Sequence, residues 1–62
     1  MRVVIRHNNE TVAKTDFPVI PMVGNRIRLR NGKEFEIENI IFVESHDTSE
    51  MDYIGHLEVE VK

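Results

Sequence analysis

The stretch RIRLRNGKEFEIE, residues 26–38, alternates charged and apolar side chains on both sides of an Asn-Gly pair. A helix cannot use that order, because a period of two scatters apolar residues around a cylinder whose own period is 3.6. A β-hairpin can, with Asn31-Gly32 supplying left-handed backbone at the turn. Alternation governs the rest of the chain as well, and predicts five strands at residues 2–7, 11–17, 26–30, 33–44 and 53–61. Asn8, Asn9 and Glu10 carry the chemistry of the first turn, since asparagine tolerates left-handed backbone. Pro18, Pro21 and Gly24 keep residues 18–25 out of any central strand. The polar run SHDTSEMD, residues 45–52, reads as a loop.

Five short antiparallel strands in 62 residues bury one apolar face best by curling into a small, partly open β-barrel, which also shelters strand edges. A single all-β domain over residues 1–62 is expected. Phe35 and Ile37 share one parity, whereas Ile40, Ile41, Phe42 and Val43 occupy both. That change predicts a bulge or bend near Asn39, or a segment covered on both sides. The three phenylalanines are assigned to the core.

Register decides what the arginine comb is for. A strict two-residue loop would set Leu29 opposite Glu34 and Arg28 opposite Phe35, mixing apolar and charged side chains on each face. A three-residue loop, Arg30-Asn31-Gly32 with a bulged glycine, pairs Ile27 with Phe35, Arg28 with Glu34 and Arg26 with Glu36. A loop at Asn31-Gly32-Lys33 pairs Leu29 with Phe35, Ile27 with Ile37, Arg28 with Glu36 and Arg30 with Glu34. Both oppose arginine to glutamate, at about 0.2–1 kcal/mol per pair. The comb is therefore first a charge-paired face. Arg26, Arg28 and Arg30 stay as candidate contacts to a phosphate or carboxylate, with Arg30, nearest the turn, the first of them.

Other chemistries find little footing. A net charge of −3 gives no global pull on polyphosphates, and Tyr53 is the one aromatic with a polar tip for base stacking. His7, His46 and His56 lack the spacing that brings two imidazoles to one metal, and are expected at the solvent surface. The group Glu44, His46, Asp47, Glu50 and Asp52 lacks the glycine and acid spacing of a calcium loop. Ser45 and Ser49 sit in no nucleophile elbow, and there is no cysteine. No catalytic residue, metal site or cofactor is assigned, and the chain is not expected to be an enzyme. The short apolar run in MRVVIRHNNE does not make a signal peptide, and nothing approaches the roughly 20 apolar residues of a membrane span, so a cytoplasmic protein is expected.

PVIPMVG, residues 18–24, places Val19, Ile20, Met22 and Val23 in a loop where polar residues are usual. The simpler expectation is a lid over an open barrel end. The functional one is an exposed patch for another chain, most simply a second copy, with Ile20, Met22 and Val23 as the contacts.

PxxPMVGNRIRLRNGKEFEIENIIF, within a match over about residues 18–43, resembles a type of small phage and prophage protein with a Src-homology-3-like barrel. Its pattern is a proline, a glycine, I-x-L, a glycine turn, an aromatic and a later hydrophobic pair. Asn25 stands where related chains often have aspartate. The resemblance implies viral assembly, adaptor or host-interaction work in a host cytoplasm, with a protein or a second copy as partner. The alternative expectation is a nucleotide or nucleic-acid binder, such as a phage protein that sequesters host nucleotide signals, using arginines at a barrel edge.

Overall fold

The computed structural model describes residues 1–46 and 53–62, and the side chains of all of these except 45, 46, 53 and 54. The chain is all-β over these residues: β1 (Arg2–His7), β2 (Glu10–Asp16), β3 (Arg26–Arg28), β4 (Glu34–His46) and β5 (Tyr53–Val61). They form one curled sheet of order β2-β1-β5-β4-β3, a half-barrel left open between β2 and β3. Most of the 45–52 loop expected from sequence, the acidic group within it and the tip of Tyr53 lie outside the described residues. Residues 45 and 46 continue β4 instead of opening the loop. No described helix is long and apolar enough to cross a membrane.

Each strand follows from its local chemistry. Asn8 and Asn9 both adopt positive φ, 53° and 65°, the two-residue turn whose twist matches a hairpin, and it sets His7 opposite Glu10. The second hairpin takes the first of the two three-residue registers: Arg26 faces Glu36, Ile27 faces Phe35 and Arg28 faces Glu34. Its turn is closed by Gly32 N donating to Leu29 O at 2.9 Å and Leu29 N donating to Lys33 O at 2.8 Å. Gly32 sits at φ +88°. The pairing of β4 with β5 slips between Ile37 and Asn39, which is the bulge that the change of parity predicts.

β1 and β5 run parallel, unlike the uniformly antiparallel sheet expected from sequence. The physical reason is alternation. Every connection reverses the chain, so the first, third and fifth strands share a direction, and joining β1 to β5 closes the sheet on two parallel neighbours.

The core is the concave face: Val3 and Ile5 from β1, Ile37 from β4, and Leu57, Val59 and Val61 from β5 are buried. Ala13, Phe17, Ile27, Leu29, Phe35 and Ile40 pack around them. Two expectations fail at its margins. Phe42 shares the face of Leu57, its cross-strand partner, yet it is 68% exposed, because β3 pairs with β4 only as far as Glu36 and ends short of the stretch that carries it. His7 and His56 are half-buried instead of solvated. The ring of His7 lies 4.9 Å from that of Phe35, and His56 stands 3.8 Å from the Glu58 carboxylate.

Candidate interaction surface

Residues 17–25 form an arch pinned at both ends. At its start, the Met1 ammonium donates to Phe17 O at 2.8 Å and Phe17 N donates to Met1 O at 2.9 Å. At its close, residues 22–25 make a tight turn: Asn25 N donates to Met22 O, and Gly24 supplies φ +94° at the third position. The Asn25 side chain accepts from Met22 N at 2.9 Å. An aspartate oxygen could make the same bond, so the departure from the resembled pattern leaves this turn intact. Gly24 N donates to Ile37 O and Ile37 N donates to Asn25 O, each at 2.9 Å, which ties the arch to β4.

Between these anchors the two prolines can donate nothing to a ladder, and the apolar side chains turn outward. Val19, Ile20, Met22 and Val23 are 52–72% exposed. This overturns the lid as the role of these four side chains: the backbone passes over the barrel end, but the residues that would seal it point to solvent. Beneath the arch lies a shallow groove of about 460 Å³ in which Ile20 and Pro21 meet Arg26, Arg28, Ile27 and Ile37. Sequence alone did not place Ile20 beside Arg26 and Arg28; the tie of Asn25 to Ile37 does so.

The comb is paired, but not rung by rung. Arg28 Nε and Nη2 donate to Glu34 Oε2 at 3.2 and 3.0 Å, and Arg26 Nη2 reaches Glu34 Oε1 at 3.5 Å. Glu34 thus serves two arginines. Glu36, opposite Arg26 in register, lies 3.9 Å from Lys62 Nζ and exchanges two backbone hydrogen bonds with Lys62. Among the described residues Arg30 has no acidic partner. It lines a second cleft, of about 580 Å³, between the edges of β2 and β3, where Ile5, Phe17 and Leu29 form an apolar floor and Lys14, Arg28 and Arg30 a basic rim.

The six candidate residues therefore divide. Ile20, Arg26 and Arg28 share the groove under the arch, Met22 and Val23 stand at its turn, and Arg30 belongs to the cleft on the far side of β3. Sequence reasoning missed the exposure of Phe42 and the contribution of Lys14. Neither leaves a local signal, since an aromatic in a β-branched run reads as core and a lone lysine reads as surface. No protein-family model matches the chain, and neither a curated protein nor a solved structure does.

Proposed function

We propose that the chain is a non-enzymatic protein-interaction and assembly module, which holds an apolar segment of another chain against the arch and the groove beside Arg26 and Arg28. The observation that carries this reading is the arch itself: four large apolar side chains, each more than half exposed, on a loop hydrogen-bonded at both ends. Exposed apolar groups are costly to keep and commonly mark a binding surface. Holding them on pinned backbone reduces the ordering entropy lost on association. The flanking guanidiniums favour a partner segment with acidic residues beside its apolar ones. The resemblance of residues 18–43 to phage Src-homology-3-like barrels supports the same role, in a host cytoplasm.

The test is a double variant, Ile20→Asp with Met22→Asp, compared with the unaltered chain by affinity capture from producing cells and by light scattering. The variant keeps its circular dichroism spectrum and loses its captured partner or its association. Unchanged capture and unchanged association state would sink the proposal.

A second reading rests on a separate observation, the basic rim of Lys14, Arg28 and Arg30 around the β2–β3 cleft. There the chain binds a nucleotide or oligonucleotide phosphate through that rim. Such binding weakens steeply with salt as counterions are released. A thermal shift across a nucleotide panel at low salt, lost in Arg30→Ala, supports it; a flat panel removes it.

A further inference from the structure

We infer that the outer edge of β4 over residues 40–44 is a self-association surface, which pairs antiparallel with the same edge of a second copy about a two-fold axis at Phe42. This builds on the reading of the chain as an assembly module, at a place separate from the arch.

The edge is open. β3 pairs with β4 only at Glu34, Phe35 and Glu36, and the arch adds Ile37. Beyond that, among the described residues, nothing pairs the outer side of β4. On the inner side, β1 reaches β5 only from Leu57 to Val61. The pairs Val43–His56 and Glu44–Gly55 therefore belong to a ribbon of two strands, an arrangement marginal in water by itself.

The edge is also unprotected. Natural edges carry lysine, proline or a bulge to block pairing, whereas residues 40–43 read IIFV, and the bulge lies before them, between Ile37 and Asn39. Ile41 is exposed on one face and Phe42 on the other.

Geometry selects the partner and the register. Glu36 and Lys62 exchange both backbone bonds, and Ile37 turns its own outward to Asn25 and Gly24. Alternation carried across the bulge then points the backbone N–H and C=O of Ile40, Phe42 and Glu44 outward. Centring on Phe42 opposes Phe42 to its own copy, Ile41 to Val43 and Ile40 to Glu44, and all three outward-facing residues find backbone partners. Centring on Ile41 would oppose Glu38 to Glu44, two carboxylates, in both halves. A second copy thus fits this edge in one favoured register, as an isologous contact requires.

The chain contains no cysteine, so single-cysteine variants report the contact cleanly. In the favoured register the two Phe42 Cα atoms lie about 5.5 Å apart, inside the disulfide range. Under mild oxidation, Phe42→Cys should therefore cross-link at least about tenfold faster than Ile41→Cys or Met22→Cys. Sedimentation of the unaltered chain should show twice its 7.3 kDa mass, and Phe42→Lys, which sets two ammonium groups opposite each other, should restore the single mass with unchanged circular dichroism.

A chain of single mass at all concentrations overturns the proposal and leaves the arch to be judged by its own capture experiment. Fastest cross-linking at Met22→Cys overturns it in favour of self-association through the arch. Fastest cross-linking at Ile41→Cys, or no preference among the three, contradicts the register and the contact.

Discussion

Replacing Gly32 by L-alanine and by D-alanine separates the backbone conformation of the hairpin turn from every other property of the residue. Gly32 sits at φ +88°, and a Cβ added to it would meet nothing within 4 Å. No clash contributes, so the whole effect is conformational. An L-residue forced into the left-handed region costs roughly 1–2 kcal/mol, only partly offset by the lower entropy of its unfolded chain, about 0.4–1 kcal/mol. A D-residue is at ease there and keeps that entropic gain. The two diastereomers, identical in composition and solvation, should differ by about 1–2 kcal/mol, with D-alanine above the parent and L-alanine below it. At this chain length 1 kcal/mol moves the thermal midpoint by about 4–8 °C. Total synthesis followed by urea and thermal unfolding measures the difference. If the two coincide, or if the L-form is the more stable, then the bulged three-residue turn is not what sets the register of β3 against β4.

Further outcomes follow from the charges, the core and the arch turn. Glu34→Gln removes the negative charge that Arg28 and Arg26 meet. These side chains are largely exposed, so the loss should stay under about 1 kcal/mol and vanish in 1 M salt, as urea unfolding at two ionic strengths will show. Ile5→Ala empties a fully buried position and should cost about 2–5 kcal/mol, most of what a chain of this size possesses, so the variant should be largely unfolded by circular dichroism at 37 °C. Asn25→Ala deletes the acceptor for Met22 N and should cost about 1 kcal/mol, with amide exchange at Met22 rising more than at Leu57.

The second hairpin was legible in the sequence almost residue by residue. Its charges and apolar side chains sort onto opposite faces only in three-residue-loop registers, and Gly32 is placed to make the bulge. The bulge after Ile37 was legible because a change of parity has few other causes. Strand order was not, since a pattern of alternation states which face a residue takes and nothing about which strand lies beside it. The parallel β1–β5 contact is of that kind.

The partners of single charges were equally hidden. Arg26 faces Glu36 across the strands, but its long side chain reaches diagonally to Glu34, and Glu36 turns to Lys62 at the chain's end. The division of the candidate site depends on the tie between Asn25 and Ile37, a backbone contact without any side-chain signature. Phe42 was misread for a related reason: its hydrophobicity is that of a core residue, and only the short reach of β3 along β4 reveals that its outer side is left uncovered.

Native mass spectrometry of the chain isolated gently from the cells that produce it tests most directly whether this half-barrel is a protein-binding module. A module that works through the arch should appear with a co-purifying polypeptide bound to the 7.3 kDa chain or to its dimer, and that polypeptide should be lost in Ile20→Asp with Met22→Asp while any pairing along β4 persists. A single chain carrying only a nucleotide-sized adduct, retained in the double variant and lost in Arg30→Ala, would contradict it and move the site to the cleft between β2 and β3.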